Sequence, residues 1–162
     1  MKSQPNRDYN SNDLIMTPES LTQRVVEYFH PNGIVLEPCR GTGSFWRYFP
    51  PNSPWCEITE GKDFFDWKKP TDWIITNPPW SQMRRFLQHS LSLSSNIVFL
   101  MTINHLWTKA RLRDMDAWEF GIKEIIMIDT PDNFPPLGFQ IGIVHLEGGH
   151  KGPIILTDWR NS

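Results

Sequence analysis

Asn77-Pro78-Pro79-Trp80 is the segment whose residue types most clearly imply chemistry. It follows the apolar run Asp72-Trp73-Ile74-Ile75-Thr76 directly. Two consecutive prolines freeze a turn and remove two backbone donors. The Asn77 side-chain carbonyl and a nearby main-chain carbonyl can then converge on one amine, with Trp80 offering a face for stacking. A planar base with an exocyclic NH2 would be held by two acceptors and an aromatic wall. Methyl transfer to such a nitrogen needs this, because its lone pair is delocalised into the ring. Hydrogen bonds to both N–H groups help it become tetrahedral and nucleophilic.

A second segment, Glu37-Pro38-Cys39-Arg40-Gly41-Thr42-Gly43-Ser44-Phe45, places an acid and a tight glycine turn after the apolar run 33–36. Gly41 and Gly43 leave little side chain in the way, so backbone can approach a ligand closely. The Walker spacing with its lysine and the third glycine of a dinucleotide fingerprint are both missing. The expected ligand is therefore an adenosine derivative without a pyrophosphate. Glu57, near the end of the run Trp55-Cys56-Glu57-Ile58, is placed to accept from ribose hydroxyls, as the acid of dinucleotide folds does. Asp63 can accept from an exocyclic amine, and Phe64 can flank a ring.

These residues need a scaffold, and the hydrophobic pattern supplies one. Thr17-Pro18-Glu19 reads as a helix start, with Thr17 as N-cap and Pro18 at the first helical position. Leu21, Val25, Val26 and Phe29 give that helix its apolar face. Strands are predicted at 33–37, 55–58, 72–76, 96–101, 124–129, 139–146 and 153–156, with helices at 81–93 and 108–120. The last two strands share a Gly148-Gly149 turn and no helix, which predicts an antiparallel hairpin at the sheet edge. The near-continuous apolar strands predict an α/β fold with helices on both faces of a mostly parallel sheet. Glu37, Glu57 and Asn77 all fall at strand carboxyl ends, where open α/β sheets bind ligands.

The 162 residues fit one domain, read as 14–162 behind a loose polar arm at 1–13. A net charge of -2 excludes a binder held by bulk positive charge, but not one with a local basic patch. Arg84 and Arg85 on one helix, and Lys109, Arg111 and Arg113 on the next, are the candidates for a phosphate backbone. No apolar stretch approaches the roughly 20 residues that span a bilayer, and no secretory leader is visible. Two cysteines and five histidines without ligand spacing predict no disulfide framework and no metal. The expected setting is a reducing cytoplasm. The 14 prolines cluster beside aromatics, as in Phe134-Pro135-Pro136, which suggests a rigid site for something planar.

The glycine segment resembles the cofactor loop of class I S-adenosylmethionine-dependent DNA amino-methyltransferases, Asn77-Pro78-Pro79-Trp80 resembles their catalytic motif, and Thr17-Pro18 resembles the segment that closes over the methionine end of the cofactor. The order of these segments also matches. The resemblance implies a Rossmann-like class I methyltransferase fold. It implies that Thr17 and Pro18 contact the methionine part of S-adenosyl-L-methionine, and that Glu37, Pro38, Gly41 and Gly43 line its methionine and ribose region. Glu57 would take the ribose hydroxyls, and Asp63 and Phe64 the adenine. Asn77, Pro78, Pro79 and Trp80 would hold a target base that is flipped out or already single-stranded. An Asn-Pro-Pro-aromatic motif is similar to adenine-N6 enzymes, so the expected reaction is N6-methylation of adenine in DNA. RNA adenine-N6 methylation, protein glutamine methylation and a non-catalytic cofactor-binding module are the alternatives.

Three departures from the family pattern stand out. Arg40 occupies a position where the family often has a small residue. Cys39 sits in the glycine loop rather than the catalytic loop, so it reads as a packed thiol. The chain also leaves no room for a target-recognition region, which predicts low sequence specificity unless a protein partner supplies it. So trimmed an enzyme would suit a phage genome, acting then in the host cytoplasm.

Overall fold

The computed structural model describes residues 15–162, so the arm read at 1–13 lies outside the described residues. Six strands form one sheet: β1 (Val35–Leu36), β2 (Thr71–Thr76), β3 (Ser94–Thr102), β4 (Phe120–Met127), β5 (Ile141–Gly148) and β6 (Ile155–Asp158), in the order β1-β2-β3-β5-β4-β6. β1, β2 and β3 run parallel, and β6 runs parallel to β4. Among the described residues three α-helices cover the sheet: α1 (Glu19–Phe29), α2 (Met83–Leu91) and α3 (Lys109–Ala117).

Alternation along the strands splits the core in two. Ile97, Phe99 and Met101 of β3 point to the face covered by Phe86, Leu87 and Leu91 of α2 and Met115 of α3. Val98 and Leu100 point to the opposite face, where Val25 and Val26 of α1 pack with Phe45 and Phe49. Helices therefore lie on both faces, as the sequence predicts.

The antiparallel strand is present but sits elsewhere than expected. β5 and β6 form no hairpin: β5 is inserted between β3 and β4 and is antiparallel to both. Burial explains the placement. Ile141 to Leu146 are all buried, a pattern that demands cover on both faces and both edges, whereas β6 leaves Ile155 and Leu156 exposed at the outer edge. The segment expected as a strand at 55–58 shrinks to one parallel bridge, Trp55 with Glu37. It still follows β1, since the Cys56 amide donates to the Glu37 carbonyl at 2.8 Å and the Arg40 amide to the Cys56 carbonyl at 2.9 Å.

The start of α1 also differs. The residue at its N-cap is Pro18, with no side-chain cap, and the Thr17 hydroxyl is used instead to accept from Asn77 Nδ2 at 3.2 Å. Thr108 does cap α3, accepting from the Arg111 amide at 3.3 Å. No helix among the described residues is long and apolar enough to cross a membrane.

Candidate functional site

The carboxyl ends of β1 and β2 open onto a cavity of about 680 Å3. Its wall includes Thr17, Glu37, Pro38, Gly41, Glu57, Asp63, Phe64, Asn77 and Pro79, so residues spread over sixty positions of sequence meet at one place. The volume falls within the roughly 300–1,000 Å3 typical of small-molecule sites.

The glycine turn needs its glycines. Gly41 and Gly43 have φ of 54° and 91°, left-handed values that L side chains rarely adopt. A Cβ on Gly41 would lie 3.0 Å from Met16 Sδ, so the methionine closes over the turn. Glu57 fixes the turn from the other side. Its Oε2 accepts from the Gly41 amide at 2.8 Å, and its Oε1 accepts from the Thr59 hydroxyl at 2.8 Å. Partial burial pushes the Glu57 pKa up, but the bonds from Thr59 and Gly41 and the charge of Arg40 bring it below the ordinary carboxylate value.

Glu37 behaves in the opposite way. It is fully buried, and desolvation raises its pKa to about 8. The nearby Thr76 hydroxyl and the Cys39 amide, which donates to Glu37 Oε1 at 2.9 Å, work against that rise without cancelling it. Cys39 is half-buried on the cavity wall, and its thiol pKa is pushed well up by desolvation and by the charges of Glu37 and Glu57. Arg40 lies on the cavity wall, with its guanidinium 3.8 Å over the Trp55 ring and paired with Glu60.

At one wall, Phe64 stacks on Phe86 with centroids 5.1 Å apart, and the Asp63 carboxylate accepts from the Phe65 amide at 2.9 Å. Near Thr17, Asn77 is held at both ends of its amide. Its Nδ2 donates to Thr17, and its Oδ1 accepts from Trp80 Nε1 at 3.1 Å.

Not every expected residue lines the cavity. Pro18 faces a neighbouring groove with Arg24 and Trp159, while Gly43 and Pro78 are buried in the supporting turns. Trp80 is not part of the cavity wall and is partly buried against both halves of the core.

The basic residues divide. Arg85 reaches the cavity wall, 4.3 Å over the Phe65 ring. Arg84 pairs with Asp114 at 2.8 Å. Arg111 is half-buried and bonds the Thr108 hydroxyl at 3.2 Å. Burial, followed by the charge of Arg84, lowers its pKa. Lys109 and Arg113 are exposed on α3.

The sequence reading missed Phe45, Phe65 and Phe86 as wall residues. Helical spacing does mark Phe86 as inward-facing, but cannot say that its part of the core borders a cavity. Among the described residues no group of acids, histidines and cysteines is arranged to hold a metal.

Comparison of the fold decides its type. The structure matches a Listeria monocytogenes protein described as a class I S-adenosylmethionine-dependent methyltransferase, with TM-score 0.65 and 12% identity over 90% of this chain and 66% of that one. This is the class I methyltransferase fold. The M protein of the type I restriction enzyme EcoKI shares it, with TM-score 0.67 and 13% identity over 94% of this chain and 50% of that one. So does the 23S rRNA methyltransferase ErmE, with TM-score 0.59 and 14% identity over 85% of this chain and 72% of that one. The chain thus spans about two thirds of the first relative and half of the second. No protein-family model matches the sequence, and no curated protein matches it by sequence comparison.

Proposed function

We propose that the protein transfers a methyl group from S-adenosyl-L-methionine to the exocyclic N6 amine of adenine in DNA. The observation that carries this reading is the continuity of one cavity from the Gly41 turn and Glu57 to Asn77. A methyl donor and its acceptor must meet, and proximity and orientation supply much of the rate.

The residues present fit the cofactor. Glu57 and Asp63 give the cavity carboxylates suited to a cationic ligand. Glu57 keeps acceptor capacity beyond the bonds it makes to Gly41 and Thr59, because an ionised carboxylate has about four acceptor sites. Phe64, backed by Phe86, offers an apolar face to an adenine ring, and Asp63 an acceptor for its amine. Thr17 and the Gly41 turn are assigned to the methionine and ribose region. When bound, S-adenosyl-L-methionine supplies an electrophilic methyl on a sulfonium centre.

The target amine is assigned to Asn77. Its carbonyl oxygen accepts an N–H of the base and helps free the nitrogen lone pair, while Pro78 and Pro79 hold the turn rigid. Lys109 and Arg113 are the basic side chains assigned to the phosphate backbone, and Arg84, being paired with Asp114, is a weaker candidate than its position in the sequence suggests.

The described residues hold no inserted element beyond the sheet, its helices and their connections, which favours low sequence specificity by this chain alone. The likeness to a type I restriction enzyme M protein supports a DNA target, with a protein partner as the source of specificity. The likeness to a 23S rRNA methyltransferase keeps RNA adenine as the second reading.

Deuterium-labelled S-adenosylmethionine, incubated with unmethylated double-stranded DNA, single-stranded DNA and RNA, tests this. Labelled N6-methyladenosine in the RNA alone would move the assignment to the second reading. No labelled nucleoside in any sample would remove it.

A further inference from the structure

An asparagine amide has one accepting and one donating end of nearly equal shape, and only its neighbours decide which way it points. Asn77 has two. Thr17 Oγ1 lies 3.2 Å from Nδ2, but a hydroxyl both donates and accepts, so it would tolerate either orientation. Trp80 Nε1 lies 3.1 Å from the other end, and an indole nitrogen only donates. With the amide reversed, two donors would face each other. Trp80 therefore admits a single orientation, carbonyl toward the indole and NH2 toward Thr17.

The indole is itself held in place. Phe134, buried in the β4–β5 connection, meets the Trp80 ring edge-on with centroids 5.9 Å apart and planes at 67°. The Phe134 amide donates to the Pro131 carbonyl at 2.9 Å, and Pro135 and Pro136 follow it. The proline–aromatic cluster at 134–136 thus backs the residue that orients Asn77.

We infer that Trp80 is a positioning residue: its indole N–H locks the Asn77 amide with the carbonyl presented to the target amine. A carbonyl oxygen has two lone pairs, so the indole occupies one and the substrate N–H takes the other. A phenylalanine ring in this place would fill the same space but, having no donor, could not select the orientation.

The inference rests on the methyl-transfer reading of the cavity, and the test separates the two. Trp80→Phe keeps an aromatic face and deletes the donor. With saturating cofactor and an adenine-containing DNA, kcat is expected to fall about tenfold, within the range one hydrogen bond contributes. KM for the DNA and the Kd for S-adenosylmethionine, which also reports folding, stay within about twofold. Asn77→Asp makes both ends acceptors, so orientation ceases to matter, and Trp80→Phe in that background costs less than about twofold. Wild-type kcat in Trp80→Phe, or the same tenfold loss in the Asn77→Asp background, overturns the inference.

If the unaltered protein or the Asn77→Asp variant methylates nothing, the hydrogen bond itself decides. The Trp80 indole N–H resonance, assigned by its loss in Trp80→Phe, is expected to shift and to exchange faster with solvent in Asn77→Ala. A resonance indifferent to Asn77→Ala overturns the inference independently of the proposed reaction.

Discussion

The Gly41 amide donates to Glu57 Oε2 at 2.8 Å, tying the glycine turn after β1 to the segment beside it. One carboxylate thus shapes the turn and faces the cavity. Glu57→Gln keeps the length but loses the charge. It is expected to leave the fold intact and to weaken S-adenosylmethionine binding about tenfold, the scale of a lost charge-assisted bond. Glu57→Ala also frees the turn and should weaken binding further. Titration calorimetry checks both, and unchanged affinity in Glu57→Ala would remove Glu57 from the site.

Glu37 and Glu57 shift in opposite directions, so they act on stability at opposite ends of the pH scale. Glu37 is raised to about 8, so between its ordinary value, about 4.3, and 8 the folded state holds a proton that the unfolded state has lost. Its contribution is fully present below that window and disappears as pH rises through 8. Glu57, with its lowered pKa, contributes above the ordinary carboxylate value and loses that contribution in acid. Tm should therefore fall less between pH 5 and pH 8 in Glu37→Gln than in the unaltered protein. About 1 kcal/mol corresponds to roughly 2–4 °C in a chain of this size. Parallel slopes for the two proteins would contradict the buried, neutral Glu37.

Two glycine substitutions separate conformational strain from site damage. Gly41 and Gly149 have φ of 54° and 77°, so alanine at either costs about 1–2 kcal/mol in backbone strain. At Gly149 the new Cβ meets nothing within 4 Å, whereas at Gly41 it meets Met16 at 3.0 Å. Urea denaturation should show both variants destabilised. Only Gly41→Ala should also lose cofactor affinity.

Glu124 of β4 is buried and accepts from the Tyr28 hydroxyl at 2.7 Å and the Thr157 hydroxyl at 2.9 Å, which pins α1 and β6 to the sheet. Tyr28→Phe and Thr157→Val each remove one donor from that carboxylate. Each is expected to cost about 1–3 kcal/mol in urea denaturation and to leave cofactor affinity unchanged.

Much of this arrangement was legible in local pattern. The runs ending at Glu37 and Thr76 announce buried strands with chemistry at their carboxyl ends, and Gly41-Thr42-Gly43 announces a turn that needs positive φ. The rest depends on partners distant in sequence. Nothing near Ile141 to Leu146 says which strands flank it, and β5 proves to lie between β3 and β4 rather than against β6. Arg84 looks available on a helix until Asp114, 30 residues away, is placed beside it. Thr17 has the composition of a helix cap, but its hydroxyl goes to Asn77, 60 residues on. The bond from Trp80 to Asn77 spans only three residues, yet it exists because the two prolines fold the turn back on itself.

The most direct test compares the unaltered protein with Asn77→Ala under labelled S-adenosylmethionine, with calorimetry for cofactor binding and nucleoside mass spectrometry on adenine-containing DNA for transfer. The account predicts N6-methyladenine from the unaltered protein. In Asn77→Ala it predicts a loss of at least about a hundredfold, the scale of removing a transition-state hydrogen-bond group, with cofactor affinity nearly unchanged. Undiminished product from Asn77→Ala, or a protein that does not bind the cofactor at all, would contradict it.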